Sequence, residues 1–384
     1  MSSPAKHQAA GAAASQPVFP DEILEEIFLR LDAAEELARA SAACTTFRRV
    51  VSARRFLHRF RCLHPPPVLG VLDWTRPPFH PAETPHRSAP AARALAQAAD
   101  FTFSFLGTPH CWQVCDARDS RVLLYQRTNI TAPFADLMVC DPLHRRHVQL
   151  PPIPDDLAAA TGGRGMQDFD PFLDPDTDED TEKQDFSFRV ICAVHCQHKI
   201  VTFHFSSVTG QWLGITFNRT VPLDLFLVRF QEMFERHYAQ GCYFWMIGVD
   251  SSFMIMLNMH DMKLSVVDLP PGPGMDDNTR ARAIVEAGEG MIGLFTLSDG
   301  MLQLYYKSLQ GTEWQHERII PLPKPNSDWS IVHAAAGHLL LKASQLDASQ
   351  FAMRGSQYFT LNLKTFLVEE LCVSNNRYTR GPHL

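Results

Sequence analysis

The sequence predicts two unlike parts in series, a small α-helical domain and then a larger all-β domain built as a β-propeller-like ring of about six blades, with a β-sandwich as the runner-up. Three observations carry this. Apolar residues recur at helical spacing from Phe19 to Leu63, a proline-dense stretch follows from His64 to Pro90, and beyond residue 100 short β-rich runs end in turn residues. The organisation is a disordered Ala/Ser-rich tail at 1–17, a helical domain at 18–63 and a partly docked connector at 64–99. Residues 100–384 form the β domain, with an acidic disordered insertion at 164–185.

The helical domain reads element by element. Pro20 pre-sets φ for a first turn in which Asp21 and Glu22 complement the helix dipole, and Ile23, Leu24, Ile27, Phe28 and Leu31 follow on one face. Asp32 and Glu35 have capping-box spacing for a second helix carrying Leu37, Ala40, Ser41 and Cys44. Phe47, Val50 and Val51 come next, and Ser52 starts a last helix with Phe56, Leu57, Phe60 and Leu63 before Pro65-Pro66-Pro67 ends it. A unit this small buries little core, so an apolar face on it suggests docking.

These features, taken in order, resemble an F-box over residues 19 to 63: a start before Pro20, then Glu22-Ile23-Leu24, Ile27-Phe28, Arg30-Leu31, a spaced Leu37 and the aromatic Phe47. Phe19 stands where that family usually has Leu, Asp32 where Pro is common and Phe47 where Trp is usual. The resemblance implies docking to a Skp-type adaptor, and through it to a cullin, by Pro20, Ile23, Leu24, Ile27, Phe28, Leu31, Leu37 and Phe47.

In the β region Val68 to Trp74 is apolar enough to dock as a strand and pin the connector. A strand, turn, strand unit with a Leu-Pro ending then recurs. Met138-Val139-Cys140-Asp141-Pro142 leads to Leu150-Pro151-Pro152, and Met256-Leu257-Asn258 leads to Leu269-Pro270-Pro271. Looser copies end at Leu322 and Leu371, and another hairpin lies around Trp212. Paired strands precede the hairpins, as in Ile284 to Phe295, so each blade holds two hairpins at a spacing on the order of 50 residues, like that of kelch-like propellers. Five blades are clear, and residues 68 to 106 suggest a sixth. The region resembles the propeller-type associated domain of plant F-box proteins.

Chemistry is sparse. At 384 residues, 45% hydrophobic and 20% charged, the composition is that of a globular protein, and a net charge of −7 argues against nucleic acid. Arg48, Arg49, Arg54, Arg55, Arg59 and Arg61 read as a solvated basic face. Nine scattered cysteines fit reduced thiols in a cytoplasmic or nuclear protein, and no apolar run is long enough for a membrane span. Cys111, Cys115, Cys192 and Cys196 lack zinc-knuckle spacing, and the tract from Asp168 to Asp185 departs from a calcium loop at its glycine and final glutamate positions. No nucleophile elbow or phosphate loop is present as a pattern. The expectation is therefore a non-catalytic, cofactor-free and metal-free substrate receptor of an SCF-type ubiquitin ligase with an unknown protein client. The alternatives are a scaffold that binds the adaptor without client turnover and a propeller enzyme.

Overall fold

The computed structural model describes residues 19–31, 34–64, 66–72, 79–108, 111–118, 120–126, 134–162, 169–174, 186–196, 198–218, 235–246, 252–270, 281–325, 327–335, 337–346 and 353–374. The chain divides into two compact units, Met1–Pro66 and Pro67–Leu384.

The first unit holds four helices, α1 (Asp21–Phe28), α2 (Ala34–Ala43), α3 (Thr45–Val51) and α4 (Arg54–Leu63). Pro20 is the extended residue before α1, with Asp21 and Glu22 in the first turn. Cys44 lies outside α2 and caps α3, its Sγ accepting from the Phe47 N–H at 3.4 Å. Ser52 ends α3 instead of capping α4, which follows Ala53 without a side-chain cap. The tail at 1–17 and Asp32 of the expected capping box lie outside the described residues.

The second unit opens with a hairpin of β1 (Gly70–Leu72) and β2 (Phe79–Pro81) and with helix α5 (Ala89–Ala98). Strand docking at 70–72 matches expectation. Helix α5 starts where the proline-dense stretch ends: Pro90 sits in its first turn, where no intrahelical N–H is needed, so the alanine-rich segment behind it is free to coil.

Five four-stranded antiparallel sheets follow, each a consecutive meander. Blade 1 holds β3 (Gln113–Arg118), β4 (Arg121–Gln126), β5 (Asp136–Asp141) and β6 (Arg146–Gln149). Blade 2 holds β7 (Phe169–Leu173), β8 (Arg189–His195), β9 (Lys199–Ser206) and β10 (Gln211–Asn218), and blade 3 holds β11 (Glu235–Ala239), β12 (Cys242–Met246), β13 (Phe253–Asn258) and β14 (Lys263–Asp268). Blade 4 holds β15 (Ala281–Glu286), β16 (Met291–Ser298), β17 (Met301–Ser308) and β18 (Gln315–Pro321). Blade 5 holds β19 (Asp328–Ala335), β20 (His338–Leu346), β21 (Met353–Asn362) and β22 (Val368–Ser374). This is a five-bladed β-propeller, and among the described residues neither a sandwich nor a sixth blade from 68–106 is formed.

Local chemistry explains the recurring hairpins. Asn258 Oδ1 accepts the His260 and Asp261 N–H groups at 2.9 and 3.0 Å, Asn362 Oδ1 accepts those of Lys364 and Thr365 at the same distances, and Asp141 takes the His144 N–H at 3.0 Å. The leucine after the fourth strand then ties back to the third. Leu150, Leu269 and Leu322 donate to the carbonyls of Leu137, Ser252 and Gly300 at 2.9, 2.8 and 3.0 Å, whereas Leu371 falls inside β22. Two indoles link neighbouring blades, Trp212 to the Pro151 carbonyl at 2.9 Å and Trp314 to that of Asp268 at 2.7 Å.

Apolar clusters fill the four interfaces from blade 1 through blade 5. The seam between blades 5 and 1 is different. Val71, Ala82 and Ala92 pack on Tyr358, Leu371 and Cys372 of blade 5, while Phe103 and Leu106 pack on Val122, Leu124, Met138 and Cys140 of blade 1. The segment read as a sixth blade is thus a hairpin and helix that bridge two complete blades.

Part of the acidic insertion is structural. Residues 169–173 form β7 in register with β8, and Asp174 is buried against the Tyr243 hydroxyl at 3.2 Å and Arg189 at 3.6 Å. Near the axis Arg236 of blade 3 lies 3.7 Å from both Asp116 of blade 1 and Asp170 of blade 2, and 3.9 Å from the centre of the Phe172 ring. Burial opposes charge on Arg236, and the two carboxylates more than offset it, so its pKa is raised; Asp170 is pushed up by burial despite Arg236. The remaining expected insertion, 164–168 and 175–185, lies outside the described residues.

Two measurements check this fold. A Cβ on Gly70 would overlap the His80 carbonyl oxygen across the β1–β2 hairpin, whereas one on Gly107 meets nothing within 4 Å. Gly70→Ala is therefore expected to lower unfolding free energy by about 1–3 kcal/mol in denaturant titration, and Gly107→Ala to leave it nearly unchanged.

The second concerns pH. Burial lowers His204 to about 4 and His237 to about 3. The folded state therefore binds fewer protons than the unfolded chain, whose histidines titrate near ~6.5. Stability is full above that value and falls as pH drops toward the folded values, by up to about 1.4 kcal/mol per pH unit for each histidine. Melts between pH 7.5 and 5 should show this loss, and the double substitution His204→Gln with His237→Gln should flatten it.

Candidate functional site

The helical unit separates its apolar residues into two sets. Leu24 and Phe28 of α1 are 4% and 5% exposed and meet Leu37, Val50, Val51, Phe56 and Phe60 in a closed core. Phe47 and Leu31 are half-buried beside it, with the Phe47 ring edge-on to Phe28 at 5.1 Å. On the adjoining side of α1, Ile23 and Ile27 are each 47% exposed, and Phe19 just ahead of the helix is 51% exposed beside the exposed Pro20.

The split is helical geometry. Residues four apart share a face, so Leu24 and Phe28 point one way, while Ile23 and Ile27 are turned by about 100° from them. The single stripe read from the sequence is therefore two faces, and only one is available to a partner. Of the eight expected docking residues, Pro20, Ile23 and Ile27 are exposed, whereas Leu24, Phe28 and Leu37 are core and Leu31 and Phe47 flank it. Phe19 belongs to the exposed row; its position one residue before Pro20 and four before Ile23 was the available signal.

Surface ion pairs join α1 to α3 and α4. Arg49 grips Asp21 through both guanidinium nitrogens, Nη2 to Oδ1 at 2.8 Å, and Arg59 reaches Glu26 at 2.7 Å and Glu25 at 3.3 Å. The hydrogen bond from Arg49 to Asp21 raises the arginine pKa, and that from Arg59 to Glu26 does the same. Part of the basic run is thus internal bracing. Arg48 and Arg55 are exposed without a carboxylate partner among the described residues, and the side chains of Arg54 and Arg61 lie outside them.

Residues 18–64 match the F-box-like family model. The F-box-like unit therefore ends where the helices end, and its exposed row lies on the first of them. No curated protein is significantly similar to the chain in sequence. Among solved structures, TolB from Acinetobacter baumannii aligns with a TM-score of 0.35 and 8% identity over 66% of this chain and 53% of its own. Saccharomyces cerevisiae Sqt1 aligns at 0.30 and 12% over 67% and 60%, and the WD40 domain of SCAP from fission yeast at 0.29 and 8% over 68% and 74%. Likeness this loose has no bearing on function.

Of the cysteines weighed for metal chemistry, Cys115, Cys192 and Cys196 share the apolar cluster between blades 1 and 2. Cys192 and Cys196 are buried, Cys115 is half-buried on β3 and Cys111 is exposed. Burial pushes the Cys115 and Cys192 thiols well up, away from the thiolate that a metal or a nucleophile requires.

Proposed function

We propose that the chain is the substrate-recognition subunit of an SCF-type ubiquitin ligase. The F-box-like unit docks a Skp-type adaptor, and through it a cullin, by Phe19, Pro20, Ile23 and Ile27. The propeller receives an unidentified protein client. The observation that carries this reading is the exposed apolar row on a unit whose own core is already complete. Such a row gains by burial against a partner, roughly 25 cal/mol for each Å² removed from water.

In this reading the chain forms no bond and needs no cofactor. Tethering raises the effective concentration of a client lysine near the charged conjugating enzyme, and other subunits do the chemistry. A cytoplasmic or nuclear setting fits the reduced thiols. The plant-type, kelch-like character of the propeller is part of the same proposal, supported by the Cys140-Asp141-Pro142 and Leu150-Pro151-Pro152 signature. A scaffold that binds the adaptor without client turnover would share every feature of the F-box-like unit, and a ubiquitylation assay with captured interactors separates the two.

Exposed and core positions of α1 give opposite readouts. Ile23→Ala with Ile27→Ala is expected to weaken adaptor binding by about thirty-fold or more with an unchanged melt, because these side chains touch little within the unit. Phe28→Ala should instead lower the stability of the F-box-like unit by about 3–5 kcal/mol. Undiminished affinity of the double Ile variant, measured by calorimetry, would refute the docking face.

A further inference from the structure

Helix α5 of the bridge begins without a side-chain cap. Ser88 stands at its N-cap position, yet the hydroxyl is buried and has no hydrogen-bond partner among the described residues. The Ser88 N–H goes instead to Nδ1 of His86, at 3.2 Å. A ring nitrogen that accepts carries no proton, so the neutral imidazole holds its proton on Nε2, which faces Thr360 Oγ1 on β21 at 3.4 Å. His86 and Thr360 are 6% and 2% exposed. One imidazole thus stands between the bridge and blade 5, with a nitrogen turned to each.

Its surroundings are closed on both sides. The His86 N–H donates to the Glu83 carbonyl at 2.9 Å, the His86 carbonyl accepts the Ala89 N–H at 3.0 Å, and the Glu83 N–H reaches the Leu371 carbonyl of blade 5 at 2.8 Å. Ala82 and Ala92, which flank the turn in sequence, pack on Tyr358, Leu371 and Cys372. The charged and titratable groups facing the ring are Glu369 of β22, His338 of β20 and the neighbouring Arg87, and His80 of β2 lies over the Tyr358 ring at 6.4 Å. Burial holds the His86 pKa below its ordinary value; Glu369 pulls it upward, and Arg87 and His338 push it further down.

Only the neutral ring suits this place. A proton taken from water onto Nδ1 would set an N–H against the Ser88 N–H, two donors with no acceptor between them, and would add a charge where burial opposes it. We propose that His86 is an acid-sensitive latch on the propeller seam: neutral, it fastens the start of α5 to blade 5, and protonated, it lets residues 83–98 lift away while the blades stay folded. The buried Ser88 hydroxyl favours the same release, because it gains water when the seam opens. The latch is independent of adaptor docking. A released histidine titrates at about 6.5 and the fastened one lower, so the latch is at full strength above that pH and weakens by up to about tenfold for each pH unit below it.

Hydrogen exchange on the full chain at pH 7.5 and pH 5, corrected for intrinsic amide rates, tests it. In the double variant His204→Gln with His237→Gln, which removes two other buried histidines, amides of residues 83–98 are expected to lose protection by up to about thirty-fold between the two pH values, and those of β16 and β17 to keep theirs. In His86→Asn the side-chain oxygen still accepts the Ser88 N–H but cannot titrate, so the same amides should lose this pH dependence. The double variant reads the latch with His86 itself unaltered. No loss of protection at 83–98 in the double variant, an equal loss in β16 and β17, or an undiminished loss in His86→Asn would overturn the proposal.

Discussion

A propeller whose blades are each one consecutive run of four strands has no strand to share across its seam, so closure rests on packing and on segments outside the blades. Here residues 68–106 meet that constraint. Glu83 donates its N–H to the Leu371 carbonyl of blade 5 at 2.8 Å, and Asp100 donates to the Pro142 carbonyl beside blade 1 at 2.9 Å. Apolar packing on both sides completes the bridge. Closure matters for more than stability, because it fixes how closely the first strands meet. Arg236 can face carboxylates from two other blades only if the inner strands stand in the right places, and removing one partner would leave a buried charge unpaired.

The helical unit solves a different problem. It is too small to bury every apolar side chain it carries, so each helix must divide its residues between core and surface. On α1 the division is clean, with Leu24 and Phe28 inside and Ile23 and Ile27 outside. Burial of Leu24 and Phe28 sets the rotation of α1 and turns Ile23 and Ile27 outward, and the exposed ion pairs from α3 and α4 to its acidic side accord with that rotation. Core and docking surface are therefore two consequences of one helix orientation.

What was legible in the sequence was local. The five third-to-fourth-strand hairpins could be read because turn residues such as Asp141, Asn258 and Asn362 act on their own neighbours, and because Leu-Pro closes a strand within a few residues. What was not legible depended on distant partners. Asp170 and Asp174 looked like part of a solvated acidic loop because Arg236, Tyr243 and Arg189, which accommodate them, lie elsewhere in the chain. Residues 68–106 suggested a blade because they contain strand-like runs, and only the packing on blades 5 and 1 reveals a bridge. On α1 the apolar pattern was right, but periodicity alone could not tell Ile27 from Phe28.

Hydrogen exchange on the full chain, free and mixed with a Skp-type adaptor, tests the docking face most directly. Adaptor-dependent protection should concentrate on the backbone amides around Phe19 to Ile27, with the propeller strands unchanged. Protection confined to the propeller, or none at α1, would contradict the assignment of that face.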